Sequence, residues 1–332
     1  MYIANVFFGR IKMISLIYLS AAVIPPIILM KYIYNLDKVE REPPSVIIRL
    51  VISGVIASFL AMYPEQLIDD AIKNHYPEGT MQYAFLSSFL CAALVEETLK
   101  YLGMYVATWK SKEFNYTFDG VVYGVSAALG FAASENIMYV FSFGFSTAII
   151  RAVTSIPGHA CFGAIMGVYY GLARKQKALG RNSKSAAERI VGLVLAMFVH
   201  GIYDTCASMS SGFWTLLFIG VVVFIYFILF KRVKRAARMD SHIPGTKYDS
   251  FDGGFGQSGG YYGNDGCYGN GNYYNNNANQ NNRENYQGFR NPYSNNPYEN
   301  ESAHRNYNRS NRNEPRIYDV PFEDADDRND DN

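Results

Sequence analysis

Seven stretches of mostly apolar residues crowd the first 240 positions, at about 13–34, 46–63, 82–108, 120–143, 147–172, 190–208 and 212–230. A helix needs roughly 20 such residues to cross the hydrocarbon core of a bilayer. The chain therefore reads as an all-α, polytopic membrane bundle of about seven transmembrane helices. After residue 240 the aliphatic residues stop. Residues 241–332 hold no Leu, no Met and only three Ile or Val (Ile243, Ile317, Val320), against 20 Asn and 11 Tyr. The mean hydropathy of −0.06 thus averages two unlike parts, and a single compact globule is excluded. Four cysteines without paired spacing exclude a secreted disulfide scaffold. No strongly basic domain stands apart from short clusters at the span ends, so nucleic acid is not an expected partner.

Basic residues fix the expected topology. Lys31, Lys38 and Arg41 follow the first span, and Lys110 and Lys112 follow the third. Arg174, Lys175, Lys177, Arg181 and Lys184 follow the fifth, and Lys231, Arg232, Lys234, Arg235 and Arg238 follow the seventh. The alternate loops offer only Lys73. The pattern places the N-terminus outside and the C-terminus in the cytosol. Arg10 and Lys12 ahead of the first span suggest a signal peptide, but the apolar run continues to Tyr34 without a small-x-small cleavage site, which favours an uncleaved helix. Pro25 and Pro26 are expected to kink it. The chain divides into a membrane domain, 1–239, and a cytosolic tail, 240–332. The tail resembles a prion-like low-complexity tract and lacks the apolar area to offset chain entropy. It reads as a disordered, solvated segment, with partner binding as the second reading. Residues 241–332 carry −6 against +7 for residues 1–240.

Charged groups at mid-membrane are penalised by about 2.5–3.5 kcal/mol each on insertion scales and mark function by default. The third span carries Glu96, Glu97 and Lys100; the fourth Glu135 and Asn136; the fifth Arg151 and His159; the sixth His200 and Asp204. Glu96 and Lys100, four apart, share a helix face and can pair. Glu97 points about 100° away, which leaves it as the free carboxylate. Counted inward from the outer ends, these groups overlap in depth between mid-bilayer and outer leaflet. His200 and Asp204, at i and i+4, suit an oriented imidazole or two ligands of one metal. Arg151 lies near a span end, where it can snorkel outward or pair inward with a carboxylate. Asp119 opens the fourth span as an expected helix N-cap. Cys91, Cys161 and Cys206 read as buried small apolar residues. Gly120, Gly124 and Ala128, and then Gly163, Gly167 and Gly171, recur at four-residue intervals, which lets two helices approach closely.

The strings Val95-Glu96-Glu97-Thr98-Leu99-Lys100, Phe118-Asp119-Gly120 to Gly124, Gly130 to Glu135-Asn136, Arg151 through Pro157-Gly158-His159, and His200-Gly201-Ile202-Tyr203-Asp204, in this order, resemble the PrsW family of bacterial intramembrane proteases. The likeness covers about 30–230 with no departure at the motif positions; the Asn/Tyr/Gly-rich tail is foreign to it. The resemblance implies a multi-pass protease of the bacterial cytoplasmic membrane. It further implies site-1 cleavage of a single-span, membrane-anchored anti-sigma factor that starts a stress-response cascade. The family is distantly similar to CAAX-processing and bacteriocin-processing membrane proteases, which share a paired-Glu motif and later His motifs.

Peptide hydrolysis requires an activated water, a stabilised oxyanion and a protonated leaving amine. Two arrangements satisfy this. In one, zinc is held by His159, His200 and either Glu97 or Glu135, with Asp204 a further candidate ligand and the remaining glutamate as base. In the other, Glu97 activates water without metal while His159 and Asn136 donate to the oxyanion. Glu96, Glu97, Lys100, Glu135 and Asn136 are the candidate catalytic residues, with Arg151 and Asp119 in support; no organic cofactor is expected. A proton-coupled transporter also uses intramembrane Glu and His, but no duplicated halves are visible. An inactive scaffold working through the tail is the third reading.

Overall fold

A computed structural model describes residues 2–246, with side chains from Met13 onward. The chain opens with α1 (Tyr2–Tyr34) and α2 (Pro44–Lys73). A broken span follows: α3 (Met81–Leu86), a π-helical stretch Ser87–Ala93, and α4 (Leu94–Thr108). Next come α5 (Asp119–Phe143), α6 (Phe145–Val153), α7 (Ser155–Ala178) and α8 (Asn182–Ser208). The last span is α9 (Gly212–Phe227), continued through π-helical Ile228–Arg232 into α10 (Val233–Arg238). Six spans are long and apolar enough to cross a membrane. The seventh, Met81–Thr108, carries Glu96, Glu97 and Lys100 and so falls short on apolar character alone.

The helix α5 is the axis of the bundle. It is buried on nearly every side from Asp119 to Ala132, with α1, α2, α4 and α7 packed around it. Glycine makes this possible. A Cβ on Gly124 would lie 2.2 Å from the Gly163 carbonyl oxygen, and one on Gly171 would lie 1.9 Å from that of Thr117. The four-residue glycine rows on α5 and α7 therefore set two backbones in direct contact, as their spacing requires. A second close approach, with Gly54 against Ala127 and Gly130 against Val51, joins α2 to α5. Around this centre the peripheral helices expose wide apolar faces, such as Ile28 on α1 and Leu216 and Val223 on α9. Lipid covers such faces in a membrane protein.

Several boundaries differ from the sequence expectation. α2 continues ten residues past Tyr63, to Lys73. Its polar end (Glu65, Asp69, Asp70) looks like loop in sequence, yet Asp69 is tied to Lys73 and to the Tyr83 hydroxyl, each at 2.8 Å. Pro25 and Pro26 lie inside one continuous helix. The fifth span is divided at Thr154 into α6 and α7. The folded part also passes residue 239. Asp240 accepts hydrogen bonds from the Phe118 amide and the Thr117 hydroxyl, and Ile243 is fully buried. The remainder of the expected tail lies outside the described residues.

Candidate active site

The ionisable residues of four spans meet in one buried network. α4 supplies Glu96, Glu97 and Lys100, all buried, with Glu97 fully enclosed. The ammonium of Lys100 lies 2.8 Å from Glu96 Oε2, 2.8 Å from Glu97 Oε1 and 3.1 Å from His159 Nδ1. It also sits 4.0 Å from the centre of the Phe131 ring. The expected split into a paired Glu96 and a free Glu97 is thus corrected: three and four residues along a helix are both within reach of a lysine side chain, and Lys100 serves both carboxylates. Glu97 retains one free atom, since its Oε2 is buried without a partner.

Two further branches extend from this centre. His200 on α8 places Nδ1 2.9 Å from Glu97 Oε1 and Nε2 3.0 Å from Asp204 Oδ2, so the i, i+4 pair on α8 aims the imidazole at Glu97. Phe162 stacks on the same imidazole with centroids 4.6 Å apart. On the other branch, His159 Nε2 lies 3.0 Å from Glu135 Oε2, and Arg151 donates to that same oxygen at 2.8 Å. Arg151 therefore turns inward. It lies on α6, which packs against α5, and a carboxylate there replaces the solvent that snorkelling would seek.

Two expected roles change with this geometry. Asn136 donates to the Ala22 carbonyl of α1 at 2.9 Å and accepts from Arg151 at 3.0 Å. Both ends of its amide are engaged in holding helices together, with one N–H committed to α1 and the carbonyl to Arg151. Asp119 lies 16 residues from Glu135 on α5, about 24 Å along the helix, outside the network. Nor does it cap its own helix: its Oδ2 accepts from the preceding Asn115 and Tyr116 amides at 3.0 and 2.7 Å. Asp240 takes the helix end instead, at the Phe118 amide.

A cavity of 610 Å³ opens beside the network, lined by Glu96, Glu135, Arg151, His159, His200 and Asp204 among others. Glu97 and Lys100 stand behind this lining. Glu65 also lines the cavity, and its Oε1 is buried without a hydrogen-bond partner. Sequence reading missed it by ending the second span at residue 63. The available signal is a glutamate directly after Pro64 at the end of an apolar run, where the helix continues past the proline.

The donor set suits a cation. Glu96, Glu97 and His159 each offer a ligand atom, all within 4.8 Å of one another, and all three residues are buried. Glu96, Glu97, Glu135 and Asp204 bring four carboxylates against the two cations Lys100 and Arg151. The excess negative charge falls to the imidazoles or to a bound metal. Carboxylate and imidazole donors are the usual ligands of catalytic zinc. The expected set also included His200, whose nitrogens face Glu97 and Asp204; His159, whose nitrogens face Lys100 and Glu135, is the imidazole grouped with both α4 glutamates.

A multi-pass helical bundle that encloses acids and imidazoles at mid-span beside a cavity has the groups a membrane-embedded hydrolase needs. The family model described as PrsW family intramembrane metalloprotease matches residues 42–230. The chain is 34% identical over 226 residues to Protease PrsW of Geobacillus kaustophilus (strain HTA426), covering 68% of this chain and 93% of that protein. It is 30% identical over 218 residues to Protease PrsW of Bacillus subtilis (strain 168), covering 66% and 94%. To Protease PrsW of Clostridioides difficile (strain 630) it is 31% identical over 218 residues, covering 64% and 89%. No solved structure matches. The chain belongs to the PrsW family of intramembrane metalloproteases. It is a multi-pass membrane peptidase, and membership favours hydrolysis over the transporter reading.

Proposed function

We propose that this peptidase cuts a single-span regulatory protein within the bilayer, an anti-sigma factor of a stress response being the expected substrate. The observation that carries the chemistry is the convergence of Glu96, Glu97 and His159 beside a cavity that Glu135 also lines. On this reading Glu96, Glu97 and His159 would hold the metal, with zinc the best match to the donors. When bound, the metal supplies Lewis acidity to the scissile carbonyl and to water. Glu135 faces the cavity and serves as the general base. It takes a proton from the attacking water and returns it to the leaving amine. Arg151 and His159 hold the Glu135 carboxylate in place through Oε2. Asp204 orients His200, which in turn fixes Glu97. Such outer partners set ligand orientation and basicity.

A second reading uses Glu97 as the base without metal. It is favoured by Lys100, whose ammonium already lies among the three donors, and by the free Glu97 Oε2. Metal analysis of the purified full chain, with a chelator test on cleavage of a co-expressed single-span substrate, separates the two. About one zinc per chain and chelator-sensitive cleavage are the expected results. Cleavage by metal-free, chelated protein would establish the second reading. Further proposals concern placement. The basic loops put the C-terminus in the cytosol of a bacterium and the N-terminus outside, and the tail offers other proteins a polar, aromatic surface.

A further inference from the structure

We propose that the basic end of the bundle holds the headgroup of an anionic phospholipid, bound between α4, α7 and α8. The site is built on one indole. Trp109, at the end of α4, is 8% exposed. The Arg174 guanidinium of α7 lies 5.8 Å from its ring centre, and that of Arg189 on α8 lies 4.8 Å from it. Arg174 also covers Phe114 at 5.8 Å, and Arg189 covers Tyr105 at 5.5 Å. The aromatic faces thus hold two like charges at one indole.

Among the described residues neither arginine forms an ion pair, and the Nε of each is buried without an acceptor. Two partly buried guanidiniums with unused donors call for an anion with several acceptor oxygens, and a phosphate ester matches their planar forks. Position selects a lipid over a soluble ion. Aromatic side chains of this kind mark the membrane interface, and basic pockets between helices bind anionic headgroups. Val106, Ile190 and Val194, on the same helices and near the same end, are exposed apolar residues that give acyl chains a path.

The three helices meeting at this indole are those that carry Glu97, His159 and His200. A bound headgroup therefore braces the frame of the site from its far end. The full chain in detergent, titrated with phosphatidylglycerol and phosphatidylcholine and read by native mass spectrometry and melting temperature, tests this. The expected result is selective retention of phosphatidylglycerol with a rise in Tm, and binding about 20-fold weaker in the R174Q/R189Q double variant. The R189K variant, which keeps the charge, should show intermediate binding and covers the case in which the double variant does not fold. Equal binding of both lipids, unchanged phosphatidylglycerol binding in either variant, or the same Tm rise with inorganic phosphate alone would overturn the proposal. These readouts do not involve cleavage, so their failure leaves the peptidase reading untouched.

Discussion

Carboxylates are buried in two regions of this bundle, and their partners differ. At mid-span, Glu96, Glu97 and Glu135 face Lys100, Arg151 and two histidines. At the basic end, Asp37, Glu42 and Asp119 are as buried as Glu96 and Glu97, but among the described residues no side-chain cation pairs with them, and backbone amides hold Asp119. The consequence shows outside the spans. Burial and neighbouring carboxylates, Asp240 first among them for Asp37, push Asp37 up to about 6; burial pushes Glu42 up to about 8. The lesson is that compensation, more than burial, separates a reactive carboxylate from a structural one. Lysine, arginine and histidine partners answer the mid-span carboxylates. Burial and mutual repulsion raise Asp37 and Glu42 at the basic end, while the backbone amides that hold Asp37 pull the other way.

The sharpest way to break this contrast is Glu97→Gln. It removes the carboxylate shared by Lys100 and His200, and cleavage of a co-expressed single-span substrate should fall about 1,000-fold or more, with membrane insertion unchanged on immunoblot of membrane fractions. Wild-type cleavage by this variant would end the assignment of the mid-span cluster as the site. Arg151→Gln should be milder. It frees Glu135 and Asn136 without touching the three converging donors, and a drop of about 10–100-fold in kcat/KM is expected for such a supporting residue.

The basic end should respond in stability instead. Asp240→Ala deletes the acceptor for the Phe118 amide and Thr117 hydroxyl, with an expected loss of about 1 kcal/mol, read as a lower Tm with cleavage rate retained. A collapse of cleavage at unchanged Tm would show that the two ends are coupled. The smallest effect is pH-dependent. A carboxyl whose folded pKa is raised favours the protonated state, so its contribution falls as pH climbs from the ordinary carboxylate range through about 6 for Asp37. Asp37→Asn should therefore raise stability above pH 6 by about 1 kcal/mol and leave it unchanged near pH 4. An equal shift at both pH values would rule out titration of Asp37 as the cause.

Much of the site was legible because a bilayer makes charge conspicuous. Glu96, Glu97, Lys100, Glu135, Arg151, His159, His200 and Asp204 all stood out in apolar spans and all belong to one network. The glycine rows were legible too, since only a close backbone contact requires a small residue every fourth position. Glu65 escaped notice because it sits near the end of a span, where polar residues are ordinary and helix and loop look alike. Asn136 and Asp119 are polar residues whose partners the sequence does not show, and the expected N-cap role of Asp119 is not the one it takes. Their neighbours had shown polarity, and only the packed structure showed that α1 and the 113–118 loop already use their hydrogen-bonding atoms.

The amino-acid order by itself determined a membrane bundle, its number of spans and its chemically important residues, because hydrophobic length and misplaced charge are local properties. Which residues touch was decided by the tertiary structure alone. Lys100 reaches both glutamates, Arg151 turns inward, and His200 meets Glu97 while His159 meets Lys100 and Glu135. These outcomes depend on how close α5 and α7 approach and on how α4, α6 and α8 are rotated about them. Helix periodicity gives each residue a direction on its own helix; packing decides what lies in that direction.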